Sequence, residues 1–335
     1  MTLTNRAIKK INRKTKYAFT DLKNIFGLNE KLFRNARGAG IVCYHGICIK
    51  EHLKYNNIFL RLKTFKAHLL FYKKYFNIVS LDDYYAQRFS NDKFNVCISF
   101  DDGYSNNYKY VLPLLKEYRI PAIFFITAIR EAGYDILWDN FLGIFAKDGP
   151  EKINYKNEIF YKDRYGKYIS RINKRSLKEI IRSGGFRLKK EMMEALSPVT
   201  SFRGNKSEED FWLLMTDQQI KELAVCEFCS FGAHGYYHND LTRISLAEAR
   251  EEMMRTKQYL ETLTKRNVFA LAFPYGTYSK ELVEVARQTG YNKLLALDFN
   301  SAEDKTDITM RERLTINPYI SIANQMTAII KNRYE

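Results

Sequence analysis

Two histidines four residues apart and a pair of adjacent aspartates are the residues in this chain best suited to chemistry. His234-Gly-Tyr-Tyr-His238 follows the apolar run 228–233, in a chain with only five histidines. On one helical turn, residues i and i+4 project to the same side, so two imidazoles there would chelate a single Zn²⁺. Asp101 and Asp102 stand in Ser99-Phe-Asp-Asp-Gly103, directly after another apolar run. Neighbouring carboxylates repel each other, and a cation is the usual compensation. In extended backbone, consecutive side chains point opposite ways, which would let one Asp bind metal while the other faces substrate. Two His and one Asp supply three protein ligands and leave positions for water and substrate, as a catalytic zinc requires. A third cluster, Ala272-Phe-Pro-Tyr-Gly276, again ends an apolar run. Pro274 there fixes a bend, and Gly276 permits close approach of backbone to a ligand.

The elements that must bring these clusters together follow from the hydrophobic pattern. Short apolar runs at 40–44, 95–100, 122–126, 228–231, 268–273 and 293–297, with a weaker one at 313–316, read as buried parallel strands. Helical patterns lie between them at 64–76, 108–118, 245–264 and 279–289. Pro113 marks a kink or a late start in the second, and Ser245-Leu-Ala-Glu248 reads as a capping box for the third. Alternating strands and helices predict a mostly parallel sheet wrapped by helices, either a barrel or an open doubly wound sheet. In such sheets ligand groups lie at the carboxyl ends of strands, where all three clusters fall. The stretch 133–225 breaks the rhythm, being charged, aromatic and locally helical at 174–181, 189–195 and 217–223. It reads as an insertion over the barrel mouth. Trp138 and Asp139 at its start are candidate sugar contacts, with packing the simpler account of Trp138.

The formal net charge is +16, which favours acidic partners without choosing among them. Cys43, Cys48, Cys97, Cys226 and Cys229 are odd in number and irregular in spacing, so they read as reduced thiols; Cys226-Glu-Phe-Cys229 lacks a partner CxxC. No run approaches the ~18 apolar residues of a membrane span. The beginning of the chain has no secretory pattern, which points to a cytoplasmic location. Residues 1–40 carry ten Lys/Arg against Asp21 and Glu30, with Ile8, Ile11, Tyr17, Leu22, Ile25 and Phe26 at loosely helical spacing. Residues 1–37 therefore read as a basic helical segment, either packed on its own domain or in peripheral contact with an anionic membrane.

In their order, the three clusters resemble carbohydrate esterase family 4, the NodB-homology polysaccharide deacetylases. Ser99-Phe-Asp-Asp-Gly103 is similar to the first family motif, His234 to His238 to the second with Gly235 in place of a hydroxyl residue, and Phe273-Pro-Tyr-Gly276 to the third. The resemblance implies a distorted (β/α)7 TIM-like barrel over residues 38–330 with a largely helical insertion at 133–225. It also implies removal of an N-acetyl group from an amino sugar. It makes Asp102, His234 and His238 metal ligands, Asp101 the base, and the Tyr275 backbone a donor to the oxyanion. Zn²⁺ suits that ligand set, and Co, Ni or Mn would also fit.

Two positions depart from the family pattern. Ala272 replaces the third-motif Arg that orients the base, and Asn317 follows Leu314-Thr-Ile316 where a fifth-motif His acid is usual. Cys43-Tyr-His-Gly46 is similar to the poly-N-acetylglucosamine deacetylase branch, in which the strand bearing the acid is moved to the N-terminus by circular permutation. That likeness makes His45 the acid and leaves Arg311 or Arg313 to replace the missing Arg. The partner implied is an N-acetylated glycan or a lipid-linked saccharide. Rival readings are a deformylase or other deacylase acting on a lipid-linked amino sugar and a catalytically silent glycan-binding protein. No motif supports a nucleic-acid partner.

Overall fold

Apolar stretches rich in Ile, Val, Phe and Leu pair side by side as parallel strands in a computed structural model that describes residues 3–200 and 202–334. They are β1 (Ala39–Tyr44), β2 (Phe94–Phe100), β3 (Ala122–Ile126), β4 (Cys229–Ala233), β5 (Ala270–Ala272), β6 (Lys293–Ala296), β7 (Met310–Glu312) and β8 (Leu314–Thr315). The order across the sheet is β7-β6-β5-β4-β3-β2-β1-β8. β7 pairs with β6 and β8 with β1, while only Arg313 separates β7 from β8. One stretch of chain thus joins both ends of the sheet, and the fold is the nearly closed seven-position barrel expected from the sequence. It is distorted at β2, whose first residues pair with an extra strand, Phe76–Val79, and whose last two pair with β3.

Alternation along each strand divides the core in two. Val42, Tyr44, Ile98, Phe100, Phe124 and Leu294 pack outward against the helices. Ile41, Cys97, Ile123, Phe125, Ala270, Ala272 and Leu295 form a separate cluster inside the barrel. Phe125 is the largest of these strand residues, and Gly232 makes room for it: a Cβ there would come within 2.3 Å of the Phe125 ring. Continuing the inward phase to the strand ends brings Cys43, His45, Ser99, Asp101, His234 and Arg313 to the mouth. Burying each large apolar side chain stabilises the barrel by about 1.5–3 kcal/mol.

Besides two short helical turns at Glu30–Arg34 and Leu81–Tyr85, the helices are α1 (Leu3–Ile25), α2 (Leu62–Tyr75), α3 (Leu112–Tyr118), α4 (Trp138–Asp148), α5 (Leu177–Arg182), α6 (Phe186–Leu196), α7 (Asp217–Ala224), α8 (Leu246–Thr264), α9 (Lys280–Gln288) and α10 (Ile322–Lys331). The Ser245/Glu248 capping box starts α8 as read from sequence. Pro113 lies in the first turn of α3, after a π-helical turn at Asn107–Val111. On the barrel's outer face, Tyr44 Oη lies 3.0 Å from His68 Nδ1 and 2.7 Å from Tyr72 Oη of α2. His68 is thereby a satisfied core residue.

Residues 133–225 are less uniformly helical than expected. Besides α4 to α7 they hold a three-stranded antiparallel sheet of Lys152–Tyr155, Glu158–Lys162 and Tyr168–Ser170. Its strands are short and mix charged with apolar residues, so their alternation is easily taken for loop. Trp138, Phe141, Phe145, Phe160 and Trp212 form a second hydrophobic cluster, which also takes in Phe59, Tyr104 and Ile129 from outside the region. At the start of the chain, Met1, Thr2 and the side chain of Ile8 lie outside the described residues; α1 is helical, as its spacing suggested.

Candidate active site and metal centre

The carboxyl end of β2 does not continue as extended chain through both aspartates. Asp102 takes a left-handed conformation with φ 76°. The alternation expected there is therefore absent, and both carboxylates face the barrel mouth. The His234–His238 segment is likewise a loop instead of a helical turn, with positive φ at Gly235 (74°) and His238 (54°). Irregular backbone does what helical spacing was expected to do. His234 Nε2 lies 3.4 Å and His238 Nε2 3.3 Å from Asp102 Oδ1.

These three buried residues form a group able to hold a metal ion. Two ligand atoms each ~2.1 Å from a tetrahedral ion lie ~3.4 Å apart, so the separations match a shared zinc-sized cation. The tautomer of His234 also fits. Its Nδ1 is 2.8 Å from the Ala272 carbonyl oxygen at the end of β5, to which it donates, leaving the Nε2 lone pair for the shared centre. Hydrogen bonding by His234 and His238 outweighs burial and holds the Asp102 carboxyl well below the usual range. The His238 pKa is raised because the Asp102 contact overcomes burial.

Asp101 is held differently. Arg313 Nη1 and Nη2 donate to its two oxygens at 2.6 and 2.8 Å, and the Cys43 thiol lies 3.3 Å from Oδ2. Arg313 Nη1 also reaches Ser99 Oγ at 3.4 Å, and its guanidinium stands 5.1 Å from the Phe125 ring centre. Burial alone would raise the Asp101 pKa; Arg313 first, with His234 and His45 adding to it, outweighs burial and lowers the value to about 2. Arg311, the other candidate, instead donates to the Asp307 and Met310 carbonyls and stacks on Tyr85.

His45 lies with Cys43 and Asp101 in a second close group, and its Nδ1 is buried without a partner among the described residues. Its pKa is lowered by burial, against the opposing pull of Asp102 and Asp101. Asn317, where the family's usual acid would stand, accepts the Tyr319 N–H within its own turn. Tyr275 has φ 60° and stands 4.7 Å, ring to ring, from His238, beside the buried Pro274. Trp138 is fully buried, with no hydrogen-bond partner for its indole N–H among the described residues, and Asp139 is half-buried next to it.

Several residues around the site were not singled out from sequence. The Glu252 carboxylate of α8, 4% exposed, accepts the backbone N–H groups of Tyr236 and Tyr237 at 3.1 and 3.2 Å. Asn239 donates to the same carboxylate, and Lys189 of α6 donates to Asn239. Arg182 of α5 pairs with Asp240 at 2.8 Å and lies 4.1 Å from the Tyr275 ring centre. The 133–225 region thus braces both the histidine loop and the Pro-Tyr-Gly loop. One signal was legible: Glu252 shares a helical face with Ala249, Met253, Thr256 and Leu260, all buried, where an acid needs a reason to be.

A family model described as polysaccharide deacetylase matches residues 90–154 and 188–294, together just over half of the chain. The chain belongs to the polysaccharide deacetylase family. Among curated proteins, a putative polysaccharide deacetylase YxkH of Bacillus subtilis is 22% identical over 107 residues, a match covering 32% of this chain and 38% of that protein. Solved structures share the fold. A Streptococcus pyogenes deacetylase PplD in complex with acetate has a TM-score of 0.55 at 17% identity, covering 87% of this chain and 97% of that one. IcaB from Ammonifex degensii has a TM-score of 0.53 at 17% identity, covering 89% and 98%. A de-N-acetylase from Aggregatibacter actinomycetemcomitans has a TM-score of 0.52 at 16% identity, covering 88% and 98%. Within the deacetylase family, Gly235 in the second motif has a local reason: with φ 74°, a Cβ there would meet Pro274 at 3.2 Å and the Glu252 carboxylate at 3.5 Å.

Proposed function

We propose that this deacetylase removes the N-acetyl group of an amino sugar in a glycan or lipid-linked saccharide, with a divalent metal held by Asp102, His234 and His238. The observation that carries the reading is the division of labour between the adjacent aspartates, Asp102 on two imidazoles and Asp101 on a guanidinium. A bound ion, zinc by the character of the donors, would polarise the acetyl carbonyl and acidify water.

The chain's own groups account for the proton traffic. Asp101, kept anionic by Arg313, accepts a proton from water as its oxygen attacks the acetyl carbon. The backbone N–H of Tyr275 donates to the carbonyl oxygen as negative charge develops there. His45 delivers a proton to the sugar nitrogen as the C–N bond breaks, releasing acetate and the free amine. The place of β1 between β2 and β8 supports this role, because it puts His45 at the same rim as Asp101. Pro274 shapes the loop that presents Tyr275; of the two candidate sugar contacts at the start of the insertion, half-buried Asp139 is the one left to meet substrate, because Trp138 is fully buried and packs in the core. The test is acetate release from N-acetylated oligosaccharides, with and without a chelator, by the wild type and Asp101→Asn. The reading expects activity to disappear in both cases and to return on adding zinc to the chelated wild type. Activity indifferent to both would overturn it, and formate as the product would replace the acetyl group with formyl.

A further inference from the structure

Helix α1 is amphipathic, but it packs the wrong way round for a helix that serves its own core. Its contacts with the barrel run through polar groups. Asn324 Nδ2 of α10 donates to Asp21 Oδ1 at 2.9 Å and to the Tyr17 carbonyl at 3.1 Å, and Ser321 Oγ also bonds Asp21. The arc carrying Ile11, Ala18, Leu22 and Ile25, at helical steps of seven, four and three, faces solvent. Ile11, Phe19, Leu22, Ile25, Phe26 and Leu28 are 50–76% exposed. The chain that follows is firmly seated, since Phe33 is buried against Phe71 and Tyr75 of α2. The exposed apolar face is therefore fixed to the domain by its neighbours and is not a frayed end.

The charges on this helix narrow what could cover that face. Lys14 and Lys23 border the apolar arc and are exposed, and Lys23 Nζ lies 4.4 Å from the Phe19 ring centre, its stem along the apolar surface and its charge at the edge. Over residues 1–40, ten basic residues stand against Asp21 and Glu30. An apolar stripe edged by lysines fits the boundary between lipid head groups and acyl chains, with anionic lipid meeting the charge. No described helix is long and apolar enough to cross a membrane, so such a helix would lie on the surface. Ser321 and Asn324 open α10 just beyond β8, at the barrel end that carries Asp101 and His234.

We infer that α1 and the turn after it seat the protein on an anionic lipid surface through Ile11, Phe19, Leu22, Ile25 and Phe26, with the barrel mouth beside that surface. The inference does not depend on the chemistry of the site. It is tested by sedimenting the full chain with phosphatidylcholine vesicles with and without about 30 mol % phosphatidylglycerol. Binding is expected only to the anionic vesicles and should weaken as salt rises. Leu22→Glu with Ile25→Glu should lower the partition at least tenfold, and Lys14→Gln and Lys23→Gln about fivefold each. Activity on a soluble substrate and circular dichroism should stay unchanged, which separates loss of docking from loss of fold. Absence of binding to anionic vesicles, or binding insensitive to the glutamate pair, would overturn the inference. So would concentration-dependent dimerisation abolished by that pair, since a second copy would then cover the face.

Discussion

Arg313→Met removes one partner of a buried ion pair and leaves the other. The Arg313 and Asp101 side chains are 1% and 4% exposed and share two charge-assisted hydrogen bonds. Truncating one side of such a pair costs about 3–5 kcal/mol, because the remaining charge is stranded away from water. For 335 residues, an unfolding entropy of about 2.1 cal/mol/K per residue gives about 0.7 kcal/mol/K, so Tm should fall by about 4–7 °C. The carboxyl responds too. With Arg313 present, a shift from 3.8 to about 2 contributes about 2 kcal/mol of stability above the unfolded pKa, lost as pH falls through about 2. Without Arg313, burial raises the pKa, so the acid limb of the pH–rate profile should move toward neutrality. A misdirected base should also lower kcat/KM about 10²-fold at neutral pH. Arg313→Lys keeps the charge without the planar fork and should fall between the two. Differential scanning calorimetry and a pH–rate profile on an N-acetylated oligosaccharide measure both effects. An Arg313→Met protein with Tm within 1 °C of wild type and an unmoved acid limb would refute the assignment of Arg313 as the group that holds the base.

Glu252→Gln leaves one acceptor oxygen where the carboxylate now takes the Tyr236 and Tyr237 N–H groups on Oε2 and the Asn239 amide on Oε1, so an N–H₂ must face one of these donors; the histidine loop should be less firmly braced and zinc affinity fall about 10–100-fold by calorimetric titration. Unchanged affinity would make Glu252 a matter of stability alone. His45→Gln should lower kcat by about 10²–10⁴-fold, with zinc affinity retained, since it lies outside the Asp102–His234–His238 set. A loss under tenfold would remove His45 from the proton path.

The barrel was legible because parallel strands buried on both faces leave continuous apolar runs, and the runs ending at Tyr44, Phe100 and Ile126 fall where β1, β2 and β3 end. Asp101, Asp102, His234 and His238 were legible because their spacing survives in a single chain. What failed was the backbone invoked for them. Periodicity expects extended or helical chain, whereas the site is made by left-handed turns at Asp102, Gly235, His238 and Tyr275, which no period announces. Arg313 could be narrowed only to a pair with Arg311. Both face inward by alternation, and the choice depends on depth: Arg313 sits where the chain leaves β6 and joins β1, two residues nearer the mouth. Lys189, Arg182 and Asn239 were invisible because they act across separations of 50 to 58 residues, set by the fold alone.

The proposed base and the proposed metal ligand are adjacent aspartates, and their different partners would let both roles stand side by side. Asp101 has a permanent cation, since Arg313 cannot lose its proton in this setting. Both its oxygens are occupied by the guanidinium, so it is poorly placed to bind an ion. Among the described residues, the ion pairs of Asp102 are with histidines alone. A buried carboxylate compensated by neutral imidazoles alone lacks positive charge, and either protons on the imidazoles or a bound cation must supply it. The raised pKa of His238 is the protonic version of that compensation. Reversing the two partners would put the guanidinium on the ligand and the metal on the base. The proposed chemistry therefore rests on which aspartate Arg313 reaches, a choice made by the left-handed turn at Asp102 and the closing strand segment from β7 to β8.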